Sequence, residues 1–196
     1  MDIKFLNKDT VHIKTKEVSI LLNPANADLK ACKADIAIQA IDNADLSGAD
    51  CLVFDWPGEY EAKNVLVKSI AVKNQDKSEV RIVTMEIDGL NTAYIGHLDH
   101  VPTNKQLFEE LSIVEVLIIN PCLNHKQMLE IIEEVEPRIV VIAENQELKD
   151  AEGLAEVDKL RKEIGKLDVE IEEKTTIKIS VDDLDSQIEY RFVTAG

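Results

Sequence analysis

Val114-Glu115-Val116-Leu117-Ile118-Ile119-Asn120-Pro121 is an apolar run closed by a breaker pair, and the residues after it change period. From His125 to Val135 the apolar positions Met128, Ile131, Ile132 and Val135 recur at helical spacing, which predicts an amphipathic helix. Ile139 to Ile142 is apolar again and reads as the next strand. Strand, helix and strand in this order mark a layered α/β arrangement. Downstream, Leu154 to Ile164 predicts another helix, with Gly165 suited to a left-handed C-terminal cap. Thr176 to Val181 and Ile188 to Val193 predict two last strands. Just upstream, Asn104 to Leu111 predicts a helix with Leu107, Phe108 and Leu111 on one side.

The first half of the chain reads differently. Ile3 to Leu6, Val11 to Lys14 and Val18 to Leu22 are short runs with period-two alternation and breakers between them, the pattern of a hairpin meander. Val11 and Ile13 point inward, His12 and Lys14 outward. Asp35 to Ile41 and Cys51 to Phe54 predict buried strands, separated by the turn formers Asp42-Asn43-Ala44-Asp45. Trp56-Pro57-Gly58-Glu59-Tyr60-Glu61 predicts a sharp structural loop, with Trp56 packed beneath it. Val65 to Val72, Val80 to Ile87 and Thr92 to Ile95 predict three further strands. No stretch rich in Gly, Pro or Ser divides the chain, so residues 1–196 read as one domain.

Composition narrows the classes. Hydrophobic residues make up 45% and aromatics only 4%, so the core is aliphatic. The formal net charge is −16, which repels phosphate backbones and anionic membrane surfaces; nucleic acid and membrane are not expected partners. No apolar run approaches the ~20 residues needed to span a bilayer. The start, Met1-Asp2-Ile3-Lys4-Phe5, has no signal-peptide pattern. Three widely spaced cysteines, Cys32, Cys51 and Cys122, read as reduced and buried thiols, and a cytoplasmic location is expected.

The order of these segments resembles the metallo-β-lactamase superfamily, in its small branch of lactonase-like zinc-dependent hydrolases. The similarity runs over nearly the whole chain. Pro57-Gly58-Glu59-Tyr60-Glu61 is similar to that branch's PGEYE-type loop and is the most specific match. Ile3 to Leu6 and Val18 to Pro24 resemble its first hairpins, and Ala34 to Ile38 the strand that leads into its metal motif. Val114 to Pro121 and Glu136-Pro137-Arg138-Ile139-Val140-Val141 resemble two of its later strands. The resemblance implies a four-layer αββα sandwich with a metal site at one edge between the sheets.

That family holds its metal through an HxHxDH loop, a further His, a bridging Asp and a last His. The loop falls on Ile41-Asp42-Asn43-Ala44-Asp45-Leu46, where only Asp45 matches. Ile41 and Leu46 are hydrocarbon and ligate nothing. The last His falls at Glu144, and the Asp that ends the first hairpins is Asn23. The bridging Asp falls within His97-Leu98-Asp99-His100, where neither register reproduces the family pattern. Those residues still place two imidazoles and a carboxylate in one short loop, a donor set that suits zinc or manganese. His97, Asp99 and His100, with Asp45 and Glu144, are therefore the candidate metal ligands.

Two other constellations carry chemistry. Cys122 lies three residues before His125, a candidate nucleophile and base with no third partner visible. Glu59 and Glu61 flank Tyr60 and form a candidate acid/base pair. Glu133-Glu134 and Glu170 to Glu173 read as charge runs on solvated faces, and His125 as exposed.

The reading these residues favour is a non-catalytic member with a degenerate site, kept as a binding or assembly module. No cofactor is expected on this reading, and the partner is a protein or small molecule of unknown identity. Pairing of exposed edge strands into a homo-oligomer is open. The alternative is a metal-dependent hydrolase of lactone or phosphoester type, with a metal site rebuilt around His97, Asp99 and His100.

Overall fold

The computed structural model describes residues 1–7, 9–41, 45–119, 122–144, 151–166, 171–184 and 187–194; of 144, 151–154, 171–173 and 194 only the backbone is described. The chain opens with β1 (Asp2–Phe5), β2 (Val11–Lys14), β3 (Ser19–Leu22), α1 (Asn26–Ala31), β4 (Ile36–Ile38) and β5 (Leu52–Phe54). It continues through β6 (Gly58–Ala62), β7 (Val65–Lys73), β8 (Glu79–Ile87), β9 (Leu90–Ile95), α2 (Lys105–Leu111) and β10 (Val116–Ile119). It closes with α3 (His125–Val135), β11 (Ile139–Glu144), α4 (Ala151–Ile164), β12 (Ile171–Lys174), β13 (Ile177–Lys178) and β14 (Glu189–Thr194).

These strands form two sheets. The first runs β13-β1-β2-β3-β4-β5, the second β12-β14-β11-β10-β9-β8-β7-β6. Hairpins make the early pairings antiparallel, whereas β3-β4-β5 and β9-β10-β11-β14 are parallel. Parallel neighbours need a crossover, and α2 and α3 supply it for β9 to β10 and β10 to β11. Two hairpins carry paired left-handed residues in two-residue turns: Lys63 and Asn64 (φ 55° and 59°), and Asp88 and Gly89 (φ 57° and 76°). Such turns match the twist of the strands they join.

Alternation along the strands sorts side chains into two cores. Ile3, Phe5, Val11, Ile13, Ile20 and Leu22 from the first sheet meet Val83, Met85, Tyr94, Val116 and Val141 from the second. On the other face of the second sheet, Ile82, Ala93, Leu117 and Val140 pack against Leu107 and Leu111 of α2, Met128, Ile131 and Ile132 of α3, and Leu160 and Ile164 of α4. Strands β10 and β11 are buried on both faces, which explains their unbroken apolar sequence. The two-sheet sandwich expected from the sequence is thus present.

Three local expectations are corrected. Pro57 to Glu61 is not a loop with Trp56 beneath it: Gly58–Ala62 is an edge strand, and Trp56 is 71% exposed. Tyr60 holds that corner, stacking on Phe54 at 4.3 Å and donating its hydroxyl to Trp56 O at 2.7 Å. Helix α1 was not foreseen. Thr176 to Val181 holds only the two-residue β13 before a short 3-10 turn. Glu172 and Glu173 lie in strand β12, but their side chains, like Glu170, lie outside the described residues. Gly165 adopts no left-handed cap; its N–H simply continues the helix to Arg161 O at 2.9 Å, while Glu136 takes the left-handed position after α3 (φ 50°).

Gly96 marks the tightest approach in this core. A Cβ there would land on the ring and hydroxyl of the fully buried Tyr94. Gly96→Ala is expected to lower unfolding free energy by about 1–3 kcal/mol, as overpacking does. Urea denaturation checks this, and an unchanged midpoint contradicts it.

Candidate functional site

The carboxyl ends of β3, β4, β9 and β11 lie at one edge of the sandwich, the usual place for a site in parallel sheets. The segments leaving these ends hold Asn23, Gln39 to Ile41, His97 and Glu144. The sheets meet there at a side-chain contact: Asn23 Nδ2 lies 3.2 Å from His97 Nε2.

Both partners sit on left-handed backbone, Asn23 at φ 51° and His97 at φ 62°. Asparagine tolerates that region better than most residues. Asn23 is only 4% exposed; its Oδ1 is buried with no hydrogen-bond partner among the described residues, while its other polar groups are engaged. Its N–H donates to Ile38 O at 2.6 Å, and its carbonyl lies 3.1 Å from Thr10 Oγ1. Its Nδ2 also faces Asp9 O at 3.4 Å, which turns the amide nitrogen toward His97. His97 Nε2 is the ring nitrogen that meets this amide. The Asp9 carboxylate stands 3.7 Å from the same ring nitrogen. Asp28 braces the network from α1 by accepting from Thr10 Oγ1 at 2.8 Å, from the Asn7 amide at 3.1 Å and from Ala25 N–H at 2.9 Å.

The other candidate ligands point elsewhere. Asp99 is exposed and accepts from Gln75 N–H at 3.0 Å, and its neighbour His100 meets it through Nδ1 at 2.7 Å. Asp45 is exposed, caps Ser47 N–H at 3.0 Å and accepts from Asn26 Nδ2 at 2.9 Å. The Ser47 hydrogen bonds, more than the Asn26 one, hold its carboxyl below the usual range. Glu144 ends β11, but its side chain lies outside the described residues, as do Asp42, Asn43, Ala44, Asn120 and Pro121. Among the described residues, no group of three His, Cys, Asp or Glu is arranged to hold a metal ion.

One residue here escaped the sequence reading. Arg81 is 3% exposed, and its guanidinium reaches Gln39 O at 3.3 Å while its N–H donates to Ala40 O at 2.7 Å. It braces the strand end that leads into residues 41–46. Its parity with Val83, Met85 and Ile87 along β8 was the available signal, because that series faces the space between the sheets.

A family model described as the β-lactamase superfamily domain matches residues 2–143. The chain belongs to the β-lactamase superfamily. No curated protein matches. Among solved structures, a Thermotoga maritima protein assigned to the zinc-dependent hydrolases of the metallo-β-lactamase superfamily superposes with a TM-score of 0.76 at 18% identity, covering 98% of each chain. A Parabacteroides distasonis protein assigned to the metal-dependent hydrolases gives 0.62 at 14% identity over 97% of this chain and 91% of its own. The metallo-β-lactamase fold protein YhfI from Bacillus subtilis gives 0.63 at 9% identity over 100% and 97%. Likeness at these identities speaks for the fold alone.

The described donors do not fit the superfamily's zinc. Zinc takes three or four N, O or S donors at roughly 2.0–2.3 Å. The His97 nitrogen instead faces an amide NH₂, which cannot ligate, and Ile41 packs into the helix-side core. His97 turns inward, whereas Asp99 and His100 turn outward to the Asn74–Ser78 turn.

The remaining constellations also change meaning. His125 is not an exposed base for Cys122. Its Nδ1 lies 2.6 Å from Glu156 Oε2, which also accepts the His125 N–H at 2.8 Å. Cys122 is exposed, and Cys32 and Cys51 are half-buried, so the expectation of three buried thiols fails. His12, by contrast, is half-buried on its strand and meets Ser19 Oγ at 2.8 Å; burial, then Lys14 and Lys4, lower its pKa. No helix among the described residues is long and apolar enough to cross a membrane.

Glu156 is a clamp between α4 and the start of α3. Its carboxyl is pulled down to about 2 by Lys159 first and then by the two His125 contacts. A depressed carboxylate stabilises fully above its unfolded value of 4.5 and loses that contribution as pH falls toward 2. Glu156→Gln is expected to cost about 1–2 kcal/mol at neutral pH. It should also flatten the stability profile across that acid window, measured by urea melts from pH 6 to 3. Parallel profiles for the two proteins refute the clamp.

Proposed function

We propose that this chain is a non-catalytic member of the superfamily that works as a binding or assembly module. One observation carries the reading: the edge where the superfamily builds its metal centre is closed here by the Asn23–His97 contact between the sheets. The hydrocarbon side chains Ile41 and Leu46 stand at two former imidazole positions, which supports the same reading. Activated water needs a metal with an open position, and no described donor set offers one. The partner is a protein or a small molecule held by the scaffold rather than consumed by it.

Metal content tests this directly. Untagged protein purified without chelators is expected to carry well under one equivalent of zinc, manganese or iron. Its metal should not change in a His97→Ala, His100→Ala double variant. One or two equivalents, lost in that variant, would overturn the proposal and favour the rebuilt hydrolase site instead. A second variant, Asn23→Asp, keeps the test open if the double variant fails to fold: acquired stoichiometric metal would show that a single side chain had closed the site.

A further inference from the structure

Strand β6 is one of the two edges of the second sheet. Among the described residues it pairs only with β7, in the register Ala62↔Val65, Tyr60↔Val67 and Gly58↔Ser69. A two-residue turn with left-handed Lys63 and Asn64 makes Ala62 and Val65 the hydrogen-bonded closing pair. Alternation then makes Tyr60 and Gly58 the residues bonded to β7. The N–H and C=O groups of Glu59 and Glu61 therefore face outward from the sheet, and no described residue meets them.

Side chains alternate along the same strand. Tyr60 and Ala62 pack against the core between the sheets, so Glu59 and Glu61 stand on the opposite face. Across that face run two rows: Glu61, Leu66, Glu86 and Asn91, and beside them Glu59, Lys68 and Thr84. Leu66, 47% exposed, thus lies between two glutamates for which the described residues give no ion pair. Ile113, 67% exposed, and Glu110 border a cleft of about 280 Å³ over these rows. Lys68 is already shared between Glu110 at 2.7 Å and Glu59 at 3.4 Å. Four carboxylates, Glu59, Glu61, Glu86 and Glu110, therefore surround one ammonium and an apolar floor.

We propose that β6 receives a basic extended segment of a partner protein as a ninth strand. Backbone groups of Glu59 and Glu61 supply the pairing, the mode by which open sheet edges bind peptides. Alternate arginine or lysine side chains of the segment lie beside Glu59 and Glu61, their aliphatic stems over Leu66. The intervening side chains turn toward Tyr60 and the exposed Trp56. A second copy of this chain is the wrong occupant. Edge-to-edge pairing would set these glutamates against each other, and like charges directly opposite destabilise a sheet. The net charge of −16 adds to that repulsion. This surface lies at the opposite end of β9 from His97, so its test is independent of the metal result.

Trp56 is the sole tryptophan and sits two residues before β6, which makes it the reporter. The probe is a capped peptide of alternating arginine and valine, titrated into the full chain while Trp56 fluorescence is followed. Saturable binding is expected, weakening as salt is raised. Glu59→Gln with Glu61→Gln should raise Kd at least ten-fold, with unchanged circular dichroism as the folding control. The same peptide N-methylated at alternate amides, in whichever register faces β6, should lose binding. A glutamate–valine peptide and spermine should not bind. Equal binding by spermine or by both N-methylated registers reduces the contact to cation association and overturns strand pairing. Equal binding by the glutamate–valine peptide overturns the charge argument. Sedimentation as a dimer that occludes Trp56 overturns the choice of partner.

Discussion

The apolar interface between the two sheets is the constraint on which the rest depends. Each strand must present every second side chain to it, and a slip of one residue would exchange the whole set. Along β8 that rule puts Val83, Met85 and Ile87 inward and leaves Glu86 outside. The same interface holds the sheets roughly 10 Å apart, the spacing of face-to-face packing. At that separation the ends of β3 and β9 are close enough for one hydrogen bond to close the edge. The site is thus a consequence of the core rather than an addition to it.

What stands at that edge explains how the two sheets are held together there by protein groups alone. Asn23 and His97 keep left-handed backbone, and they are linked by polar atoms that need no ion. Thr10, Asn7 and Asp28 spread the network into the β1–β2 turn and the start of α1. Each such hydrogen bond adds only about 1 kcal/mol net. Their greater effect is to fix the backbone of Asn23 and the first turn of α1 against the strand ends, although Asn23 Oδ1 stays buried with no hydrogen-bond partner among the described residues. A fold hosts functions through its sites, so it is this edge, not the sandwich, that decides the chemistry.

Most of the architecture was legible because burial writes itself into period. Strands β2, β7 and β10 and helices α2 and α3 lie within a residue or two of the positions their apolar spacing marks. The failures share a cause: elements that bury little leave no period. Helix α1 has no buried residue. Strand β12 is an edge rich in glutamate. Strand β6 half-buries only Tyr60 and Ala62, and its Pro-Gly start mimics a loop. At the site, Ile41 and Leu46 could be read as non-ligating from residue chemistry alone. The Asn23–His97 contact could not, because 74 residues separate its partners. The same distance problem hid Glu156 from His125, 31 residues away, and made a clamped histidine look like an exposed one.

The acidic surface acquires a more specific meaning once the edges are located. An open edge strand invites pairing with any extended chain, and soluble proteins commonly guard such edges with charge. Here the guards are glutamates on a strand whose outward amides remain unpaired. Placed there, negative charge excludes copies of the same acidic chain but attracts a basic one. The charge that prevents self-association is therefore also a filter on partners, and it works without the metal edge at the far end of β9. Two separable surfaces at opposite ends of β9 are what the proposed binding role would use.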